Sequence, residues 1–316
     1  MDFSIVIPTY NEEKDIAATI DKLLDLDYPD KEIIVVDDST DSTPKIVAGY
    51  GQRGVELIKP EIRKGRSEAR NIGIKAAKGD VVVILNADVL LPPDFLRRIK
   101  AHYDNGYDSV TVFADVDNME NLYARYVGLH HLRKQARGVY ERRKTELKGI
   151  FWAEGFSVRR DLALKTSLFP SGFAVPIVAG EDVRFVDELR ELGCKGIIDE
   201  SIVIRHVAPD NFREYWNIRK GRGEGTPQIR RFLDGYSYIR IGSVVFTKIL
   251  FRFLKAILIV PMVVYNYDLA SRSQKNRVFE TVQLMYCWLI EQVAFSIGEA
   301  QSLLKIIHKE GLASQR

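Results

Sequence analysis

Acidic and amide side chains recur at one relative place early in the chain, directly after short apolar runs. Val81-Val82-Val83-Ile84-Leu85 leads into Asn86-Ala87-Asp88. Glu32-Ile33-Ile34-Val35-Val36 leads into Asp37-Asp38-Ser39, and Phe3-Ser4-Ile5-Val6-Ile7-Pro8 leads into Thr9-Tyr10-Asn11-Glu12. A carboxylate held at a stiff strand end suits a divalent ion set against a phosphate, because such ions take few protein oxygens and complete their shell from phosphate and water. Lys59 and Lys64-Gly65-Arg66 follow another apolar run, Val55–Ile58, with the positive charge a diphosphate needs. Further on, Glu181-Asp182 opens a helical stretch, where a carboxylate serves either as a cap or as a base for an attacking hydroxyl. Any one of these is explained as a helix cap. Four at the same rim of a sheet are hard to assign to capping, and they suit metal-assisted group transfer from a nucleoside diphosphate.

The elements that must position these groups are legible in outline. Strands over Phe3–Pro8, Glu32–Val36, Val55–Ile58 and Val81–Leu85 alternate with helices from the polar turn at Thr9–Glu13 to about Leu26, over Thr43–Tyr50 and over Ser67–Ala77. That alternation predicts right-handed crossovers and a doubly wound α/β domain, whose ligands bind beyond the carboxyl ends of the strands. A helix over Asp94–Tyr103 and a strand over Ser109–Phe113 complete this half. Asn118–Lys148 reads as a basic helix, either a solvated face or a surface for an acceptor phosphate or a membrane. The sheet resumes at Gly155–Arg160, Val183–Leu192 is helical, and short strands at Ile197–Ile198 and Ile202–Arg205 precede His206.

With 316 residues, 46% of them hydrophobic, and a formal net charge of +3, the chain is expected to be globular and not to bind nucleic acid. Cys194 and Cys287 stand far apart, which supports neither a disulfide framework nor a zinc site and fits a reducing, cytoplasmic setting. No basic-plus-apolar leader precedes the first strand, so export by a signal peptide is not expected. Beyond about Pro209 the character changes. Arg213–Arg231 is rich in Arg, Lys and Gly. Lys248, Arg252 and Lys255 lie opposite Phe246, Ile249, Leu250, Phe253 and Ile257 on one helix, and Val282–Ile307 carries a second apolar stripe. The uncharged run Ala256–Tyr267 is too short to span a bilayer, which favours helices lying in the membrane surface over a spanning hairpin. The remaining alternative is that both helices pack on the rest of the chain or on a second subunit.

Taken as an ordered set, Ile5–Glu12, Val35–Asp41, Gly65–Gly73, Asn86–Asp88 and Gly180–Val183 resemble the motifs of the family-two glycosyltransferases of the GT-A fold, over residues 3 to about 206. The resemblance implies a doubly wound mixed sheet flanked by helices and an inverting transfer from a nucleoside-diphosphate sugar with Mg²⁺ or Mn²⁺. It implies that Pro8, Tyr10, Glu12 and Asp38 line the nucleoside pocket, with Arg66, Asn71, Asn86 and Ala87 near the nucleotide. Asp88 would ligate the ion and Asp182 would be the base. His206 resembles a histidine that reaches the metal in some such enzymes; the plainer reading is a satisfied core or surface residue. The family's Asp-x-Asp is Asn86-Ala87-Asp88 here, which implies weaker or more permissive metal binding. The processive Gln-x-x-Arg-Trp signature is absent, which implies addition of a single sugar. Arg219-Lys220-Gly221-Arg222-Gly223 stands near its place and, as a flexible loop, would bring Arg219 and Arg222 to the leaving diphosphate or to an acceptor phosphate; the plainer reading is a solvated basic linker.

These features together predict a catalytic domain over 1–210, with a nucleotide-binding half (1–115) and an acceptor half (116–210), followed by a membrane-associated helical region over 211–316. The expected partners are a UDP- or GDP-linked sugar, a lipid-linked or glycan acceptor and the cytoplasmic face of the cell membrane; within the family the N-terminal motifs are similar to those of dolichol-phosphate mannose synthases. A sugar nucleotidyltransferase is the first alternative, although it would need a Gly-rich basic loop where Thr9–Glu12 stands. A catalytically inactive nucleotide-sugar-binding membrane scaffold is the second, supported by Asn86.

Overall fold

The computed structural model describes residues 1–61, 65–136 and 155–313. Its first elements follow from strands that are apolar on both faces. In β1 (Phe3–Thr9) every residue is buried, and β2 (Lys31–Asp37), β3 (Val55–Ile58) and β4 (Val81–Ile84) join it in parallel, with β1 between β2 and β4. Ile5, Ile7, Ile33, Val35, Val81 and Val83 pack on one face. Helices α1 (Ile16–Leu24), α2 (Thr43–Ala48) and α4 (Phe95–Asp104) contribute to the same cluster. Val6, Ile34, Val36, Val82 and Ile84 pack on the other face with α3 (Arg66–Ala76). Gly73 lets α3 lie directly on β1, since a Cβ there would stand 2.2 Å from Cγ1 of Val6.

The sheet continues through β5 (Val89–Leu90), β6 (Ser109–Val116), β7 (Phe156–Arg159) and β8 (Gly196–His206), giving eight strands in the order β3-β2-β1-β4-β7-β6-β8-β5. β7 is antiparallel to both β4 and β6, so the sheet is mixed, as expected. The two short strands expected around Ile197 and Ile202 are one strand, paired in parallel with β6 across a register shift between Val112 and Phe113. α5 (Leu122–Ala136) follows β6, α6 (Arg160–Ala163) follows β7, and α7 (Asp182–Glu191) precedes β8 and buries Phe185, Val186 and Leu189. Of the helix expected over Asn118–Lys148, the described part is helical over Leu122–Ala136. Arg137, Arg142 and Arg143 lie outside the described residues.

The described residues form two units. One takes in Met1–Asp117, the described part of Val139–Gly172, and Glu181–Val207, and holds the whole sheet. The other takes in the described parts of Asn118–Gly138, Phe173–Gly180 and the chain from Ala208. In the second unit α5 belongs with the C-terminal helices: Arg125 Nε donates to Glu280 Oε1 (2.6 Å), and the Tyr126 hydroxyl donates to Glu291 Oε2 (2.9 Å).

The flexible loop or linker expected at Arg219–Gly223 lies inside a helix, α8 (Phe212–Phe232), started by Asn211, whose side chain accepts from the Glu214 N–H. Its glycines are contact points. A Cβ on Gly223 would stand 2.3 Å from the Phe295 carbonyl oxygen, and one on Gly298 2.1 Å from that of Lys220. Backbones that close leave no room for side chains, and packing outweighs the poor helix propensity of Gly and of Pro227. The partner is α11 (Arg277–Ala313), which starts earlier and ends later than the expected Val282–Ile307. Between them lie α9 (Tyr238–Ile257) and α10 (Val260–Ala270), the apolar run being broken at Leu258-Ile259. Among the described residues no helix is long and apolar enough to cross a membrane.

Candidate active site

The loops after β1 and β2 are laced together. Thr9 Oγ1 donates to Asp37 Oδ1 (2.7 Å), the Asn11 N–H to Ser39 Oγ (2.7 Å) and the Glu12 N–H to Thr43 Oγ1 (2.9 Å). Asn11 takes a positive φ of 57°, which an asparagine tolerates better than most residues. Pro8 is buried opposite Val36, while Tyr10 is exposed beyond it. Asp38 Oδ2 accepts from the Gly65 N–H (3.2 Å), which ties the β2 loop to the start of α3.

Arg66, in the first turn of α3, is the common neighbour of the acidic groups. Its charge bears on Glu12, Asp88, Glu181 and Asp182, and its Nε lies 3.6 Å from Glu181 Oε1. One helical turn on, buried Arg70 donates through Nη1 to Glu181 Oε1 (2.7 Å) and through Nη2 to Asn86 Oδ1 (3.3 Å). Burial opposes the Glu181 charge, but Arg66 and Arg70 outweigh it and hold this carboxyl below its usual range. Asp182 differs: burial, and then the neighbouring Glu181 charge, push its carboxyl up. A carboxylate of raised basicity beside one neutralised by arginine is suited to accept a proton.

Asp88 and His206 are joined by strand pairing. β5 lies antiparallel to the end of β8, Val89 opposite His206, and the Val207 N–H donates to the Asp88 carbonyl (2.9 Å). Asp88 Oδ2 is 3.1 Å from His206 Nε2, whereas Asp88 Oδ1 is buried without a hydrogen-bond partner. Burial disfavours the Asp88 charge, but His206 more than compensates, so this carboxyl lies below its usual range. Glu12 goes the other way: burial first, then the Asp88 charge, push it up to about 8. Among the described residues no group of three or more His, Cys, Asp or Glu is placed to hold an ion. An unsatisfied carboxylate oxygen beside an imidazole nitrogen nevertheless suits Mg²⁺ or Mn²⁺ when the other ligands come from a diphosphate and water.

Asn71 and Arg219 are engaged elsewhere. The Asn71 amide donates to the Phe169 carbonyl (2.8 Å) and accepts from the Phe169 N–H (2.9 Å), so it fixes the 169–171 segment on α3. Arg219 is not on a flexible loop. It is buried in α8 with Nη1 3.2 Å from Glu291 Oε1, over the ring of Tyr215, while Arg222 is exposed on the same helix. Asn86 meets Arg70, and Ala87, buried, gives its carbonyl to Thr19 Oγ1 (2.5 Å). Arg70 lies within the Gly65–Gly73 motif, which by itself assigns it no role. Its spacing of four residues from Arg66 was the available signal, because it puts both guanidinium groups on one face of α3.

A mixed sheet of this order, with its acidic groups gathered around the start of α3, has the architecture of GT-A glycosyltransferases. PcManGT, a mannosyltransferase from Pyrobaculum calidifontis solved with GDP-Man and Mn²⁺, superposes with a TM-score of 0.57 at 21% identity, over 96% of this chain and 86% of that one. TarS residues 1–349 from S. aureus, solved with UDP-GlcNAc, superposes with a TM-score of 0.53 at 17% identity, over 95% and 91%. The model of glycosyl transferase family 2 matches residues 4–166, and the chain belongs to that family. The UDP-Glc:alpha-D-GlcNAc-diphosphoundecaprenol beta-1,3-glucosyltransferase WfgD of Escherichia coli is 36% identical over 86 residues, 27% of this chain and 34% of that protein. The chain's matches span about a third or less of the curated relatives' own lengths.

Proposed function

We propose that this glycosyltransferase moves a single sugar, with inversion, from a UDP- or GDP-linked donor to a hydroxyl of a lipid-linked or glycan acceptor at the cytoplasmic face of the cell membrane. The observation that carries the catalytic part is that Arg66 and Arg70 meet Glu181, the neighbour of Asp182, while Arg70 also reaches Asn86, two residues before Asp88. In this reading Asp182 takes the proton of the acceptor hydroxyl as that oxygen bonds to the anomeric carbon from the face opposite the leaving group. The bond from that carbon to the diphosphate breaks, and the nucleoside diphosphate departs. Arg66 stands beside the developing charge, and Glu181, neutralised by Arg70, keeps Asp182 at the head of α7. Asp88 and His206 would hold Mg²⁺ or Mn²⁺, which when bound supplies positive charge to the diphosphate. Pro8, Tyr10, Glu12 and Asp38 would line the nucleoside pocket.

Support for the donor and acceptor classes comes from what PcManGT, TarS and WfgD are named as binding or using. The test is a panel of UDP-glucose, UDP-N-acetylglucosamine and GDP-mannose with Mn²⁺ and either a polyprenyl-diphosphate sugar or an oligosaccharide acceptor. Transfer with an inverted anomeric configuration supports the reading. Nucleotide binding without turnover on either acceptor class rejects it.

A further inference from the structure

Ile257, Leu258, Ile259, Val260 and Pro261 are consecutive, apolar and exposed, and they form the junction between α9 and α10. Leu258 shows 62% and Val260 68% of its surface to solvent. Ile259 takes a φ of 49°, costly for a β-branched residue, and the Val260 N–H turns back to the Leu258 carbonyl, so the chain bends sharply at this apolar point. Exposed apolar positions continue outward from it through Phe253 and Val264. Along α11 they recur at helical spacing as Val278, Val282, Tyr286, Leu289 and Val293.

Charge flanks this surface. From Arg240 to Arg277 the chain carries seven Lys or Arg and a single acid, Asp268, which is held by Arg133 and Arg272; Lys248 and Arg252 turn to the buried Glu299, and it is Lys255, Lys275 and Arg277 that flank the junction and α10. Lys255 stands just before the junction. Lys275 and Arg277 lie past the other end of α10, where Arg277 stacks over the Tyr267 ring at 3.8 Å. An α10 that buries Met262, Asn266 and Leu269 and exposes Val260, Val263, Val264 and Tyr267, with cations at both ends, matches a layer whose interior is hydrocarbon and whose surface is anionic.

We propose that the α9–α10 junction and the outer face of α10 dip into one leaflet of an anionic bilayer, with Lys255 and Lys275 taking headgroup phosphates at either end. This names the inserting element and rests on the membrane-face reading given above. A protein partner covers one side of a helix, whereas five successive exposed positions turn through more than a full helical turn and across a bend. A fluid hydrocarbon covers them all. A second copy of this chain would oppose like cations at both ends of the contact.

Flotation of the full chain on vesicles of phosphatidylglycerol with phosphatidylcholine, and of phosphatidylcholine alone, tests this. The wild type should float on the anionic vesicles. Leu258→Glu/Ile259→Glu should lower partition by on the order of a hundredfold, and Lys255→Glu/Lys275→Glu should erase the preference for anionic lipid. Both variants should keep the wild-type Tm and donor cleavage, since these residues are exposed and outside the catalytic cluster. Should the glutamate pair lower the Tm, Leu258→Ser/Ile259→Ser gives the same reading with milder side chains. If the wild type floats and the junction variants float equally, the assignment to this junction is wrong while the membrane reading stands. If the wild type floats on neither vesicle, both fall. A wild-type dimer in sedimentation that the junction variants convert to a monomer, without flotation, would make the surface a protein contact and overturn the proposal.

Discussion

His206 Nε2 lies 3.1 Å from Asp88 Oδ2, although 118 positions separate the two residues in the chain. The contact depends on a strand of two residues, Val89–Leu90, pairing with the end of β8. A carboxylate fixed by this pairing keeps its second oxygen for another ligand.

Asp88→Ala should abolish the effect of Mn²⁺ on nucleoside-diphosphate affinity. His206→Ala should weaken it by roughly tenfold to a hundredfold, the usual scale for groups that orient or support a metal ligand. Calorimetric titration of UDP and GDP with and without Mn²⁺ reads both. An unchanged metal dependence in the Asp88 variant removes that residue from the ion.

Asp182→Asn keeps the shape of the helix terminus and removes the base. Donor binding should be retained while turnover falls by on the order of a hundredfold or more. The raised Asp182 pKa adds a pH signature: transfer in the wild type should be lost on acidification at a higher pH than an ordinary aspartate would give. Near-normal turnover in the variant would place the base elsewhere.

Arg70→Met leaves buried Glu181 with only Arg66, at 3.6 Å, to offset its charge, which should cost up to about 3–5 kcal/mol of stability, the scale for breaking a buried pair. Arg70→Met/Glu181→Gln should recover much of that loss, because no lone charge remains. The Glu181 carboxyl is lowered by its arginines, so its contribution is present above the unfolded pKa and lost as pH falls through the folded one. Denaturant unfolding of the single and double variants measures this, and a double variant no better than the single would show that the pair is not the source.

Glu12 has the opposite sign. Its folded pKa of about 8 exceeds the 4.5 of an ordinary glutamate, so between those values the unfolded chain releases a proton that the folded chain keeps. Stability therefore falls as pH rises through this window. Glu12→Gln should melt above the wild type by a margin that widens from about pH 4.5 to about pH 8. A constant margin would mean that Glu12 does not titrate there.

Gly298→Ala and Gly223→Ala each drive a methyl group into a facing backbone within the second unit. Each should destabilise the chain by at least about 1–3 kcal/mol, since backbone yields less readily than a side chain. Gly221→Ala, where a Cβ meets nothing within 4 Å, is the control and should be neutral or stabilising. Thermal unfolding of the three variants separates packing from propensity.

The sequence alone determined the alternation of strands and helices, the strand ends at which Asp38 and Asp88 fall, and the polar turns between. These are local: a buried strand writes an unbroken apolar run, a flanking helix writes its own period, and the groups at their ends follow from chain direction. Only the tertiary structure decided which groups touch. The Asp88–His206 contact rests on a strand too short to leave a pattern. The bond between Arg70 and Glu181 crosses 111 positions, and α8 is a helix against the preference of its glycines and proline because α11 packs against it. Such outcomes are set by burial and pairing between distant segments, energies that no single stretch of the chain carries by itself.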